Sequence, residues 1–119
     1  MPRRVLIIDD NSDFRTAARH LLERHAFVIV AEAENGISGI EKAKEHRPDL
    51  ALLDVQLPDV DGFEVAERLS QLDTPVDVIL TSSLDGTDFG ALVEHNSALG
   101  FIPKAELSAQ AIEALLAVR

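Results

Sequence analysis

Apolar positions along the chain gather into short runs separated by stripes of helical period. The runs cover residues 5–8, 28–31, 50–53, 76–80 and 100–102. They show little alternation, as expected of parallel strands covered on both faces. Between them, Phe14, Ala17, Ala18, Leu21 and Leu22 follow the i, i+3, i+4, i+7, i+8 spacing of one helix face. Asn11 or Ser12 is suited to cap that helix. Val65, Ala66, Leu69 and Leu72 form a second stripe, and Ala111, Ile112, Leu115 and Leu116 a third. Ile37 and Ile40 mark a helix opened by Asn35-Gly36, and residues 87–95 read as a helix interrupted by Gly90.

The pattern is therefore β-α repeated five times, with no linker, internal repeat or low-complexity stretch. Strict alternation predicts an α/β fold: a five-stranded parallel sheet flanked by five helices, three layers in all, with right-handed crossovers. The flavodoxin-like strand order 2-1-3-4-5 is borrowed from known sheets of this size rather than derived from the residues. In that order the topology reverses between strands 1 and 3, and ligands of open α/β sheets bind beyond the carboxyl ends of the strands there.

At 119 residues the chain is one domain's worth of sequence, and residues 1–119 are expected to form a single domain. Folding at this size buries roughly two-thirds of the unfolded surface, so no covalent staple is needed. The chain has no Cys, which removes disulfides, thiolate metal sites and Cys nucleophiles together and fits a reducing cytoplasm. No apolar run approaches the ~20 residues of a membrane span, and the N-terminal residues enter a strand-like run without a signal-peptide pattern. A formal charge of −10 argues against nucleic-acid binding by this segment itself.

Three of the acids fall where a ligand would bind. The first run leads into Asp9-Asp10 and the third into Asp54. Three carboxylates converging on one crevice repel one another, and a hard divalent cation with oxygen ligands, Mg²⁺, relieves the repulsion. One Asp alone would equally serve the dipole of the following helix. The fourth run ends in Thr81-Ser82-Ser83 and the fifth leads into Pro103-Lys104. A hydroxyl and an ammonium facing a metal-bound carboxylate are the groups that phosphoryl transfer uses. Taken singly, a Ser pair after a strand is an ordinary turn, and a Lys after an edge strand protects that edge.

These pieces, in this order and spacing, resemble bacterial response-regulator receiver domains over essentially the whole chain. The resemblance rests on Val-Leu-Ile-Ile-Asp-Asp ending at Asp10, Asp-Leu-Ala-Leu-Leu-Asp ending at Asp54, Leu-Pro-Asp-Val-Asp-Gly ending at Gly62, Ile-Leu-Thr-Ser-Ser ending at Ser83, and Gly-Phe-Ile-Pro-Lys ending at Lys104. It implies that Asp54 is the phosphoacceptor. Asp10 would bind Mg²⁺ directly, Asp9 through a water, Asp54 as a third ligand, and the backbone carbonyl of Gln56 as a fourth. Ser82 and Lys104 would each contact a phosphoryl oxygen. Ser82 and Phe101 would be the switch pair, with the response carried by the helix of residues 87–95, the last strand and the last helix. Gln56 and Leu84, each two residues beyond a site residue, would tune hydrolysis.

Many members of that family place a Pro after the Lys, joined by a cis bond. Here Ala105 follows Lys104, and a trans bond is expected. The implied partners are a sensor histidine kinase or a phosphotransfer protein, a second copy of the chain on phosphorylation, and a DNA-binding effector in a longer transcription regulator. Two other readings compete. One is a small phosphatase-like enzyme using an aspartyl phosphate, but Gln56 stands where such enzymes carry an acid/base Asp. The other is a degenerate receiver that binds without phosphoryl chemistry, which the full set of acids, Ser82 and Lys104 argues against. The four His residues receive no role.

Overall fold

The protein, seen here in a computed structural model, is described over residues 2–83 and 97–118. Its strands are β1 (Arg3–Ile8), β2 (Phe27–Ala33), β3 (Leu50–Asp54), β4 (Asp77–Ser82) and β5 (Gly100–Pro103). All pair in parallel, in the order β2-β1-β3-β4-β5. Both the parallel sheet and its borrowed order are thus found. Four α-helices lie among the described residues: α1 (Ser12–Glu23), α2 (Gly36–His46), α3 (Gly62–Ser70) and α4 (Ala109–Ala117). The count is four where five were expected, since the helix of residues 87–95 falls outside the described residues.

The period-2 geometry of the strands divides the core into two layers. Leu6, Ile8, Ala51, Leu53, Val78 and Leu80 pack with Ile40 and Ala43 of α2 and Val65, Ala66 and Leu69 of α3. Val5, Ile7, Leu50, Leu52, Ile79 and Ile102 pack on the other face with Ala18 and Leu22 of α1 and Ile112 and Leu116 of α4. Burying one such aliphatic side chain contributes about 1.5–3 kcal/mol, so the two layers supply most of the driving force.

Side chains chosen for capping set the helix starts. Asn11 accepts the Phe14 N–H at 3.0 Å, Asn35 the Ser38 N–H at 2.8 Å, and Ser108 the Ala111 N–H at 3.0 Å. At the other end of α2, Arg4 donates to the carbonyls of His46 and Arg47 at 2.7 and 2.8 Å, satisfying two of the carbonyls a helix end leaves open. Ile37 and Ile40 do lie on a helix opened by Asn35-Gly36, but only Ile40 faces the core. Ile37 is exposed, and the inward face of α2 is Gly36, Gly39, Ile40 and Ala43. A Cβ at Gly39 would lie 2.6 Å from Ile8 Cδ1, so the bare glycine lets the helix close onto β1.

Candidate functional site

Three strand ends meet at the carboxyl edge of the sheet. Asp9 follows β1, Asp54 ends β3, and Lys104 follows β5 in a single 3₁₀ turn (Lys104–Glu106). Every described peptide bond is trans, including the one after Lys104. The Lys104 ammonium sits 2.7 Å from Asp9 Oδ2 and 3.2 Å from Asp54 Oδ2. One carboxylate oxygen of each of Asp9, Asp10 and Asp54 lies within 4.8 Å of the others. Asp9 and Asp54 are buried while Asp10 reaches solvent. The crevice above them is lined by Asp10, Asn11, Asp13, Phe14, Asp54, Gln56, Ser83 and Lys104.

Backbone donors fix both buried acids. Asn11 N–H donates to Asp9 Oδ1, and Gln56 N–H donates to Asp54 Oδ1, each at 2.9 Å. Arg15 on α1 donates to the Asp9 carbonyl at 2.6 Å and to Glu32 on β2 at 3.1 Å, while Arg19 also pairs with Glu32. Beyond Asp54, the Gly62 N–H donates to the Val55 carbonyl at 2.9 Å, closing the loop after Asp54 onto the start of α3. There is no room for a side chain at that joint, because a Cβ on Gly62 would stand 2.4 Å from the Asp54 carbonyl oxygen. The demand on Gly62 is close backbone approach.

The charges remain in conflict. Burial pushes the Asp54 carboxyl above its ordinary value and the Asp9 charge adds to that, against the opposing pull of the Gln56 N–H and the Lys104 ammonium. Burial alone would lower the Lys104 ammonium, but its contacts with Asp9 and Asp54 win and hold it above the usual lysine value. Asp9 Oδ2 is buried, with the Lys104 ammonium 2.7 Å away. An all-oxygen cluster of three carboxylates that share one ammonium, with one acid pushed toward protonation, fits a hard divalent cation.

The structure thus brings together Asp9, Asp10, Asp54, Lys104 and Gln56. Ser82, the last residue of β4, is fully buried beside Pro103, and the hydroxyl residue on the crevice wall is its exposed neighbour Ser83. Phe101 is half-buried on β5 against the α2/α3 layer. Leu84 falls outside the described residues. Sequence reasoning missed three participants. The Phe14 ring lies under the Lys104 ammonium, 4.5 Å from its centroid. Arg15 grips the Asp9 carbonyl, and Asp59 bridges the loop after Asp54 to α2. Phe14 was legible as core stripe only, although its place one turn after Asp10 aims it at the same strand end. A second hollow, between the C-terminal ends of α2 and α3, is lined by Lys44, Arg47, Leu72 and Asp73 at the far edge of the sheet.

Known proteins resemble this chain in sequence and fold. The family model described as the response regulator receiver domain matches residues 5–116. The virulence-factor transcription regulator BvgA of Bordetella pertussis is 37% identical over 118 residues, 99% of this chain and 56% of that protein. The chemotaxis protein CheY of Bacillus subtilis is 38% identical over 84 residues, 71% of this chain and 70% of its own. Among solved structures, the signal receiver domain of the response regulator NarL from Mycobacterium tuberculosis superposes with a TM-score of 0.87 at 30% identity, covering 98% of this chain and 95% of that one. The chain spans about half the length of the transcription regulators it matches. No helix among the described residues is long and apolar enough to cross a membrane. With the sheet order, the converging acids and these matches in agreement, the chain belongs to the response regulator receiver domains of two-component signalling.

Proposed function

We propose that residues 1–119 act as one phosphorylation-driven switch, with Asp54 as the acceptor. The observation that carries this reading is the Asp54 carboxylate held 3.2 Å from the Lys104 ammonium in the crevice it shares with Asp9 and Asp10. An Asp54 oxygen attacks the donor phosphorus as the bond to the leaving group breaks. The electron pair goes to the leaving group, which takes up a proton, and an acyl phosphate remains on Asp54. Lys104 neutralises one equatorial oxygen as charge develops, and Ser82 supplies a hydroxyl to another once it turns toward the phosphoryl group. Asp9, Asp10, Asp54 and the Gln56 carbonyl would hold Mg²⁺, which supplies charge neutralisation and in-line alignment.

The donor is a sensor histidine kinase, a phosphotransfer protein or a small acyl phosphate. The response leaves through Ser82 and Phe101, on neighbouring strands β4 and β5, toward β5, α4 and the helix that the sequence predicts over residues 87–95, where a second copy could dock. Gln56 and Leu84 set the lifetime of the phosphoform. A DNA-binding effector in a longer cytoplasmic protein is the output, in line with the transcription regulators matched over about half their length. The phosphatase reading is weaker because the exposed residue two beyond Asp54 is Gln56, which cannot serve as acid or base. Asp54→Asn tests the proposal. Incubation with acetyl phosphate and Mg²⁺ should add one phosphoryl mass to the wild type and none to the mutant. A labelled mutant would move the acceptor elsewhere.

A further inference from the structure

We infer that Phe14 is a positioning residue for the phosphoryl chemistry proposed above, and that it acts by seating the Lys104 ammonium on its ring face. Among the described residues the ammonium has three partners: Asp9 Oδ2, Asp54 Oδ2 and the Phe14 ring, whose centroid lies 4.5 Å from Nζ. Two of the three are metal-ligand candidates. When a divalent cation shares their charge, their hold on the ammonium weakens at the moment it is needed for the phosphoryl oxygens. The ring is the one partner that a metal does not compete for, because an aromatic quadrupole attracts an ammonium and offers no oxygen to a hard cation.

The local chain makes that support necessary. A lysine hangs on four rotatable bonds, and loss of its ion pairs frees it to swing to water. The loop after Lys104 is a single 3₁₀ turn followed by Leu107, with no side-chain cap at its start. Phe14, by contrast, is half-buried and packed against the core layer of α1 and α4. It lies in the first turn of α1, and its N–H is held by Asn11 Oδ1 at 3.0 Å. Its ring lines the same crevice as Asp54 and Lys104.

The test compares Phe14→Leu, which keeps apolar bulk and loses the ring face, with Phe14→Tyr, which keeps the face. At saturating Mg²⁺, labelling by acetyl phosphate should slow about two- to thirtyfold in Phe14→Leu, the range of a cation–π contact, and recover in Phe14→Tyr. The Mg²⁺ dissociation constant from calorimetry should stay level or tighten in Phe14→Leu. In a Lys104→Ala background the Leu substitution should have no further effect. Phe14→Met replaces Phe14→Leu if the latter lowers the melting temperature. A direct readout is independent of labelling: in Mg²⁺-bound wild type the Lys104 ε-methylene protons should keep an upfield ring-current shift that Phe14→Leu abolishes. Loss of that shift on adding Mg²⁺ overturns the inference. So does weakened Mg²⁺ binding in step with labelling, or an undiminished Leu effect without Lys104. Absence of labelling in the wild type would instead count against Asp54 as acceptor, leaving the resonance to decide the role of Phe14.

Discussion

Asp59 holds the N-terminus of α2 across 23 residues of sequence: its Oδ1 accepts the Gly36 N–H at 2.8 Å and its Oδ2 accepts the Ile37 N–H at 3.0 Å. The contact ties the loop that follows Asp54 to the helix beside it. Gly36 makes the approach feasible, since a Cβ there would meet Val65 Cγ2 at 2.8 Å. Two open helix N–H groups and a favourable dipole both act on the ionised carboxylate. The Ile37 N–H foremost, with those of Gly36 and Val60, pulls Asp59 below the ordinary carboxylate value of 3.8.

That shift sets a sign. The folded-state value lies below the unfolded one, so Asp59 contributes stability above about pH 3.8 and loses it as pH falls through the folded value. Asp59→Asn should therefore melt below wild type at pH 7, and the gap should narrow as pH drops below 3.8. Paired melting curves across that range check it. A gap that stays constant would mean that shape, not charge, makes the cap.

Metal should raise the melting temperature. Mg²⁺ at tenfold above its dissociation constant contributes about 1.4 kcal/mol by mass action on the folded state. The effect should fade in Asp10→Asn, whose side chain is exposed, so its change leaves no buried orphan. Burial and the Asp9 charge keep Asp54 above its ordinary value, so protons compete with metal as pH falls and the gain should shrink. The chain has no Trp or Tyr, so calorimetry or circular dichroism reads the transition. An unmoved transition at millimolar Mg²⁺ would contradict the site.

Much of this was legible in the sequence because its signals are local. Val5 and Ile7 face one layer and Leu6 and Ile8 the other, as period 2 requires. Asn11 and Asn35 cap the helices they precede, and Asp9, Asp10 and Asp54 stand at strand ends. What escaped is contact between distant residues, or packing carried by the absence of a side chain. Hydrophobic periodicity scores Ile37 as core and Gly39 as nothing, yet Gly39 meets Ile8 and Ile37 points outward. Arg15 carries no local signal, because nothing in the pattern around it reveals that its guanidinium reaches the Asp9 carbonyl beyond β1 and a carboxylate on β2.

Gly62 should be intolerant of any side chain. Its Cβ would stand 2.6 Å from Val55 Cα and 2.7 Å from the Val55 carbonyl oxygen, both backbone atoms of the acceptor loop. Gly62→Ala must push that loop, at about 1–3 kcal/mol, the usual cost of overpacking. Labelling of Asp54 should slow as well, since the shift falls on the residue after the acceptor. Unchanged melting and labelling would show that α3 can slide away freely.

The grip of Arg15 on Asp9 supports the last prediction. Its Nη1 donates to the Asp9 carbonyl at 2.6 Å while its Nε donates to Glu32 at 3.1 Å, so one planar guanidinium spans β1's end and β2. Glu32 also pairs with Arg19, and its carbonyl accepts from Lys42, which fixes the anchor on which Arg15 rests. The arrangement sets the backbone that carries Asp9 and Asp10, without touching the crevice itself. Arg15→Lys keeps the charge, but one ammonium cannot reproduce two divergent donors. We predict about 1.5–3 kcal/mol of lost stability, the scale of a charge-assisted hydrogen bond, together with weaker Mg²⁺ binding. Glu32→Gln keeps the Arg15 reach to Asp9 and should do less to both. Calorimetric Mg²⁺ titration of the two variants decides the matter. If Arg15→Lys bound metal as wild type does while melting lower, the guanidinium would brace the fold without shaping the metal loop.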